Sequence, residues 1–267
     1  MPSRFVFDEP HYRALDHARI EFLRNLLPQW KRNLKLNSAL DVGCGVGHFA
    51  ALLQQLGFEV SAFEGRAENA EEAERRVGGL KVHVGEAEEI GSFGMGSFDL
   101  VLALGLLYHL ENPFRVIRQL RQITKKLLVI ESMCIDDPKP VLCLRDEGHG
   151  ADQGLRYVAF YPSQACLAKM LYGAGFPFVY RFLNLPDHPD FAGRLRKHRV
   201  RTMLAASVTP FTEAYLTKIA DPVTPEDPWI SAVGKTWNQV ARLGRFAVKP
   251  WPEKMAALRR RMTLGIR

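Results

Sequence analysis

A carboxylate, three glycines at alternate positions and a helix start stand together in Leu40-Asp41-Val42-Gly43-Cys44-Gly45-Val46-Gly47-His48-Phe49. Residues 38–42 read as an apolar strand and residues 48–56 as a helix ending at Gly57, so the glycines form the turn between them. Glycine permits positive φ and close approach of backbone to a ligand. A helix N-terminus adds free N–H groups. Dinucleotide sites use a related loop, but spaced G-x-G-x-x-G; here the spacing is G-x-G-x-G. Asp41, two residues before the first glycine, repels a pyrophosphate and attracts a ligand that carries an ammonium. A Walker A loop is excluded. Gly234-Lys235-Thr236 matches its end, but Trp229 stands where its first glycine should be. Glu64 closes the next apolar run, 17 residues beyond Gly47. An acid there can accept from both hydroxyls of a ribose, or it is a solvated strand-end carboxylate.

These residues need a scaffold, and the chain alternates in a way that supplies one. Residues 11–30 have helical apolar spacing that stops near Pro28. Strands are expected at 38–42, 58–63, 80–84, 98–103 and 127–131, and helices at 48–56, 67–76 and 113–123. Nearly continuous apolar strands between helices indicate a parallel sheet covered on both faces. Residues 133–161 break the rhythm with prolines and glycines, and so long a connection points to a binding lid. A helix at 163–172 and strands at 176–182 and 200–208 bring the strand count to seven. Beyond Thr209, prolines punctuate short helical pieces.

On these motifs the chain resembles the class I (Rossmann-like) S-adenosylmethionine (SAM)-dependent methyltransferases over about residues 36–208. SAM carries both an ammonium and a sulfonium, which suits Asp41. The resemblance implies an α/β, doubly wound seven-stranded sheet ordered 3-2-1-4-5-7-6 with the last strand antiparallel. It also implies SAM as cofactor, S-adenosylhomocysteine (SAH) as product and no metal. The cofactor set is then Asp41, Gly43, Cys44, Gly45, Gly47 and Glu64, with Glu86 and Ala87 in an adenine-contacting turn and Leu104 in the family's fourth motif, Phe98-Asp99-Leu100-Val101-Leu102-Ala103-Leu104-Gly105. The acid of that turn is often Asp in the family and here is Glu86. Methyl transfer needs alignment and closure and, for some acceptors, a base. His109, in Leu106-Leu107-Tyr108-His109-Leu110 just beyond the fourth strand, is the candidate base; the alternative is a cap or a packing partner of Tyr108. Glu131 at the end of the fifth strand either binds the acceptor or caps a loop. Tyr108, His149, Tyr157 and Tyr161, with Asp146, are candidates to orient a substrate, against a plain surface-loop reading. Tyr12 and Arg13 on the first helix are candidates to close over the SAM carboxylate, against a solvated-face reading for Arg13.

Composition narrows the class. Hydrophobic content of 47% and charged content of 24% exclude a disordered tail, a collagen-like fibre and a disulfide miniprotein. Four cysteines without CxxC spacing predict reduced thiols. The charged N-terminus and lack of a long apolar run predict a soluble, cytoplasmic protein. Net charge is +7, yet residues 1–185 carry 21 Lys and Arg against 22 Asp and Glu, while residues 186–267 carry 15 against 7. The organisation expected is an N-terminal helical segment 1–35, a SAM-binding domain 36–208 with lid 133–161, and a basic extension 209–267. Trp229, Trp237, Phe246 and Trp251 near Arg194-Leu195-Arg196-Lys197 and Arg259-Arg260-Arg261 either stack on bases or pack on the body. Methylation of O or N on a small-molecule acceptor is the leading expectation. A tRNA-modifying enzyme is the second, because Gly105-Leu106-Leu107-Tyr108-His109-Leu110 is similar to a stretch of tRNA wobble-uridine carboxymethyltransferases. A catalytically silent SAM-fold partner protein and an NAD-binding reductase complete the set.

Overall fold

The computed structural model describes residues 5–192 and 199–222. Five helices, α1 (Pro10–Asn33), α2 (His48–Gln55), α3 (Ala67–Arg76), α4 (Pro113–Ile123) and α5 (Gln164–Gly173), surround ten strands. These are β1 (Ser38–Val42), β2 (Glu59–Glu64), β3 (Lys81–Val84), β4 (Phe98–Leu104), β5 (Thr124–Ile135), β6 (Leu142–Asp146), β7 (Val158–Pro162), β8 (Phe178–Phe182), β9 (Arg199–Ser207) and β10 (Leu216–Lys218). Eight of them form one sheet in the order β3-β2-β1-β4-β5-β9-β8-β10. The strands from β3 to β5 are parallel neighbours, and β9 runs antiparallel to both β5 and β8. With β8 and β9 as sixth and seventh strands, this is the expected 3-2-1-4-5-7-6 order, with one strand added at the edge.

Period-two alternation builds both halves of the core. Val101 and Ala103 of β4, with Leu40, Val42, Leu128 and Ile130, face α4 and α5. Leu100 and Leu102, with Ala39, Leu127 and Val129, face α1 and α2, where Leu23, Leu27, Trp30 and Leu53 meet them. The strands at the sheet centre therefore read as unbroken apolar runs, because each residue finds a helix on one side or the other.

Three features depart from the expected elements. Helix α1 continues through Pro28 to Asn33. A helix-interior proline costs about 3 kcal/mol, but Leu27 and Trp30 are fully buried, each contributing about 1.5–3 kcal/mol. The Trp30 indole N–H also donates to the Tyr215 hydroxyl at 2.6 Å. Second, the lid is not irregular: β5 runs on to Ile135, and β6 and β7 pair as an antiparallel hairpin with Leu144 opposite Phe160. Third, β10, from within 209–267, pairs with β8. Beyond residue 222 the extension, including Trp229, Trp237, Phe246, Trp251 and Arg259-Arg260-Arg261, lies outside the described residues, as do Arg194, Arg196 and Lys197. Among the described residues no helix is long and apolar enough to cross a membrane. Trp30→Ala is expected to lower the unfolding free energy by about 3–5 kcal/mol in urea titration; an unchanged midpoint would show that α1 is not anchored there.

Candidate functional site

Strand β1 ends at the glycine loop, and α2 starts directly behind it. The loop is pinned to β2 by Gly43 and Cys44, whose N–H groups donate to the Phe63 carbonyl at 2.8 and 3.2 Å. Gly45 has φ +53°, and a Cβ there would lie 3.2 Å from the Phe7 ring. The residue must therefore be glycine on both conformational and steric grounds. Its N–H donates to Glu64 Oε2 at 2.9 Å, while Glu64 Oε1 accepts from the Arg66 N–H at 3.0 Å and lies 3.4 Å from the Asn69 amide. Glu64 is thus a buried carboxylate held in place by backbone, with lone pairs left for a ligand in the cavity it lines.

That cavity measures about 440 Å³ and runs from the glycine loop to the lid. Its far wall combines Tyr108, His109, Met133, Tyr161 and Arg201. The Tyr108 and Tyr161 rings meet edge to face at 5.9 Å, and the His109 ring lies 4.0 Å from Tyr108. Over this end comes the loop between β6 and β7. Glu147 is hydrogen-bonded to His109 Nδ1, and Asp152 accepts from the Tyr12 hydroxyl of α1. The same loop reaches the opposite end: Arg156 forms a bidentate pair with Glu86 at 2.8–3.2 Å, and Arg66 donates to the Gln153 carbonyl at 3.0 Å. Burial raises the Asp152 carboxyl, and the hydrogen bonds from Tyr12 and Gln153 outweigh it and hold the group below its ordinary range. Burial, with the Asp152 charge beside it, pushes the Tyr12 phenol up.

Behind the wall lies an ion cluster. Glu131, fully buried, accepts from Arg19 Nη2 at 2.6 Å and from Arg201 Nη1 at 2.7 Å. Arg19 also pairs with Asp16 at 3.0 Å, and Arg201 reaches the Tyr108 hydroxyl at 3.5 Å.

A family model described as a methyltransferase domain matches residues 13–180. The chain belongs to the class I SAM-dependent methyltransferases. It is 27% identical over 176 residues to the tRNA U34 carboxymethyltransferase of Desulfotalea psychrophila, covering 61% of this chain and 54% of that one. It is 31% identical over 115 residues to the ubiquinone biosynthesis O-methyltransferase of Rickettsia prowazekii, covering 42% and 45%. The chain therefore spans about half the length, or less, of these curated relatives. In fold it is similar to the N-terminal domain of EvdMO1 crystallised in the presence of SAH and D-fucose (TM-score 0.58, 20% identity, 74% of this chain and 84% of that one). A second neighbour is the magnesium protoporphyrin IX methyltransferase of Synechocystis with bound SAH (TM-score 0.51, 17% identity, 73% and 84%).

The methyltransferase cavity takes Gly43, Cys44, Gly45, Glu64, Glu86, Ala87, Leu104, Tyr108, His109 and Tyr161 from the residues expected on sequence, together with Tyr12. A cavity of this size suits a nucleoside ligand, and the residues around Gly45 and Glu64 fit an S-adenosyl group. Gly47 lies against Ala73 of α3 and Val77 just beyond it, and does not line the cavity. Glu131 does not line it either, since both its oxygens are taken by arginines. His149 and Tyr157 are exposed with rings 4.1 Å apart, and Asp146 is exposed; none of the three lines the cavity. Arg13 is exposed, whereas Arg19 reaches the cavity from the same helix. Sequence reasoning missed Phe7, Arg19, Arg66, Glu147, Asp152, Arg156 and Arg201. Burial, with Asp41 and Glu64 near by, pushes the Cys44 thiol up, which disfavours its thiolate.

Asp41 is placed differently from expectation. It is 1% exposed and does not line the cavity; it accepts from the Ala50 N–H in the first turn of α2, and its Oδ2 has no hydrogen-bond partner. Burial, with Glu64 and Asp16 adding repulsion, lifts its pKa from an ordinary 3.8 to about 7. In the unfolded chain the group ionises first, so between those values folding takes up a proton and stability falls as pH rises. Asn at this position keeps the bond from Ala50 without titrating. Relative to Asp41→Asn, the wild type should lose up to about 4 kcal/mol between about pH 4 and pH 7 in urea titrations, with a constant gap above; a gap independent of pH would refute the shift.

Proposed function

We propose that this chain transfers a methyl group from SAM to an oxygen or nitrogen of a small molecule held beneath the lid. The observation that carries this reading is the enclosure of one cavity by the loop 147–156, which touches both the Glu64 end and the His109 end. SAM supplies an electrophilic methyl on a sulfonium, so the protein's share is alignment, exclusion of water and management of the acceptor proton. Gly43, Gly45 and Glu64 hold the nucleoside end by backbone shape and by acceptance from hydroxyls. Tyr108, Tyr161 and Met133 form an apolar and aromatic wall for the acceptor, and Arg201 and Arg19 edge it with charge. His109 stands where the acceptor proton would leave. Its ring is fixed by Tyr108 on one side and Glu147 on the other.

A second reading, a tRNA-modifying transferase, draws on the carboxymethyltransferase relative and on the basic excess beyond residue 185. Phosphate contacts release counterions, so retention of tRNA that falls steeply with salt would favour it, and failure to bind at any salt would remove it.

Calorimetry with SAH should show binding, and Glu64→Ala should weaken it about 10- to 100-fold, as expected for loss of charge-assisted hydrogen bonds of about 1.5–3 kcal/mol. Absence of SAH binding by the wild type would leave a catalytically silent SAM-fold protein. His109→Ala should lower turnover far more than SAH affinity, and equal turnover would mean that alignment suffices without a base.

A further inference from the structure

The acceptor end holds a pairing that neither the sheet nor the cofactor loop requires. His109 follows β4, and its Nδ1 is bonded to a carboxylate that arrives 38 residues later on the lid, Glu147 Oε1. The other oxygen, Oε2, accepts from the Gly154 N–H at 2.8 Å. The Glu147 side chain is 5% exposed, so this carboxylate is not a surface group that happens to lie near a histidine. The lid backbone is seated just as closely. A Cβ at Gly154 would stand 2.3 Å from the His109 carbonyl oxygen, which only glycine allows. His109 is among the residues that line the cavity, and among the described residues its ring is hydrogen-bonded through Nδ1 and not through Nε2. Ring, backbone and carboxylate therefore form a closed unit made from two distant segments.

We propose that Glu147 is a positioning residue: it fixes the proton of the neutral His109 ring on Nδ1, leaving the Nε2 lone pair to accept a proton from a hydroxyl acceptor. The proposal rests on the methyltransferase reading above and narrows it to an acceptor that must lose a proton. As the acceptor oxygen bonds to the methyl carbon, the carbon–sulfur bond breaks and its electron pair stays on sulfur. The hydroxyl proton passes to Nε2, and Glu147 offsets the imidazolium charge. Because Glu147 belongs to the lid, the ring is set for this transfer only when the lid lies over the cavity, so base and closure arrive together.

The two oxygens of Glu147 give a direct test. In Glu147→Gln the single amide oxygen must keep accepting from the Gly154 N–H, because an NH₂ cannot. The NH₂ is then turned to His109 Nδ1, which has to become an acceptor, and the ring proton moves to Nε2. The experiment is a ¹⁵N-histidine spectrum of the full chain with SAH, recorded on the alkaline side of the histidine range, with the His109 signals assigned by their loss in His109→Gln. The expected result is protonated Nδ1 and bare Nε2 in the wild type, with the two signals exchanged in Glu147→Gln while SAH affinity is retained. A wild-type His109 carrying its proton on Nε2 would overturn the proposal, even if the variant failed to fold. So would a tautomer that is the same in both proteins, which would leave Glu147 as a pin for the lid alone. Failure of the wild type to bind SAH would instead strike the methyltransferase reading, and the two failures are distinct.

Discussion

The inner wall of the cavity depends on one carboxylate. Glu131 is fully buried on β5 and is shared by Arg19 of α1 and Arg201 of β9. Desolvating three charges costs several kcal/mol per ion, so the cluster is poor evidence for net stability. Removing Glu131 alone, however, would leave two buried guanidinium groups facing each other, a loss of about 3–5 kcal/mol. Its value is geometric. It ties the N-terminal helix and the antiparallel strand to the centre of the sheet, and it aims Arg201 at Tyr108, whose ring lies 5.5 Å below the guanidinium. Tyr108 in turn packs on His109. A single buried acid thus fixes, through three contacts, the ring at the far end of the cavity.

The lid is held by a different kind of interaction. Arg156 and Glu86 are both substantially exposed, and such pairs contribute about 0–1 kcal/mol. The contacts of Arg66 with the Gln153 carbonyl and of Tyr12 with Asp152 are partly buried. The loop is thus held by an exposed ion pair at Glu86 and by partly buried hydrogen bonds at Arg66, Tyr12 and His109. Leu155 completes the donor end: a Cβ at Gly65 would stand 2.9 Å from its side chain. The loop therefore touches Gly65 and Arg66, beside Glu64, and at its other end His109.

The donor half of the site was legible because it is local. Asp41 to Glu64 form one β-α-β unit, and the glycine spacing, the acid and the strand–helix alternation can all be read in sequence order. Even so, the role of Asp41 was misplaced, since a pattern of residue types does not say whether a carboxylate faces the ligand or caps the helix behind it. The acceptor half joins segments far apart, with Arg19 and Arg201 lying 112 and 70 residues from Glu131. The lid shows why such residues escape notice. Asp146 and His149 attract attention by type, but Asp146 ends β6 exposed, while Glu147, one residue on in the loop, is the acid bonded to His109. That difference is unreadable until 142–146 is known to pair with 158–162. Proline at 28 and a three-residue strand at 216–218 misled for a related reason: burial of Trp30 and pairing with β8 outweigh local propensity.

Charge sharpens the functional argument. The chain as a whole is +7, but the residues lining the cavity include seven carboxylates against four arginines. The local field therefore has the opposite sign to the net charge. A donor bearing a sulfonium and an ammonium is drawn to such a cavity, and its neutral-sulfur product is held less strongly by the same field. A polyanion is disfavoured by such a lining. Methyl transfer to a neutral hydroxyl would release a proton where it removes a sulfonium charge, and on the reading proposed above that proton passes to His109, which is bonded to Glu147. On that reading the electrostatic demand falls on His109 and the acid that holds it.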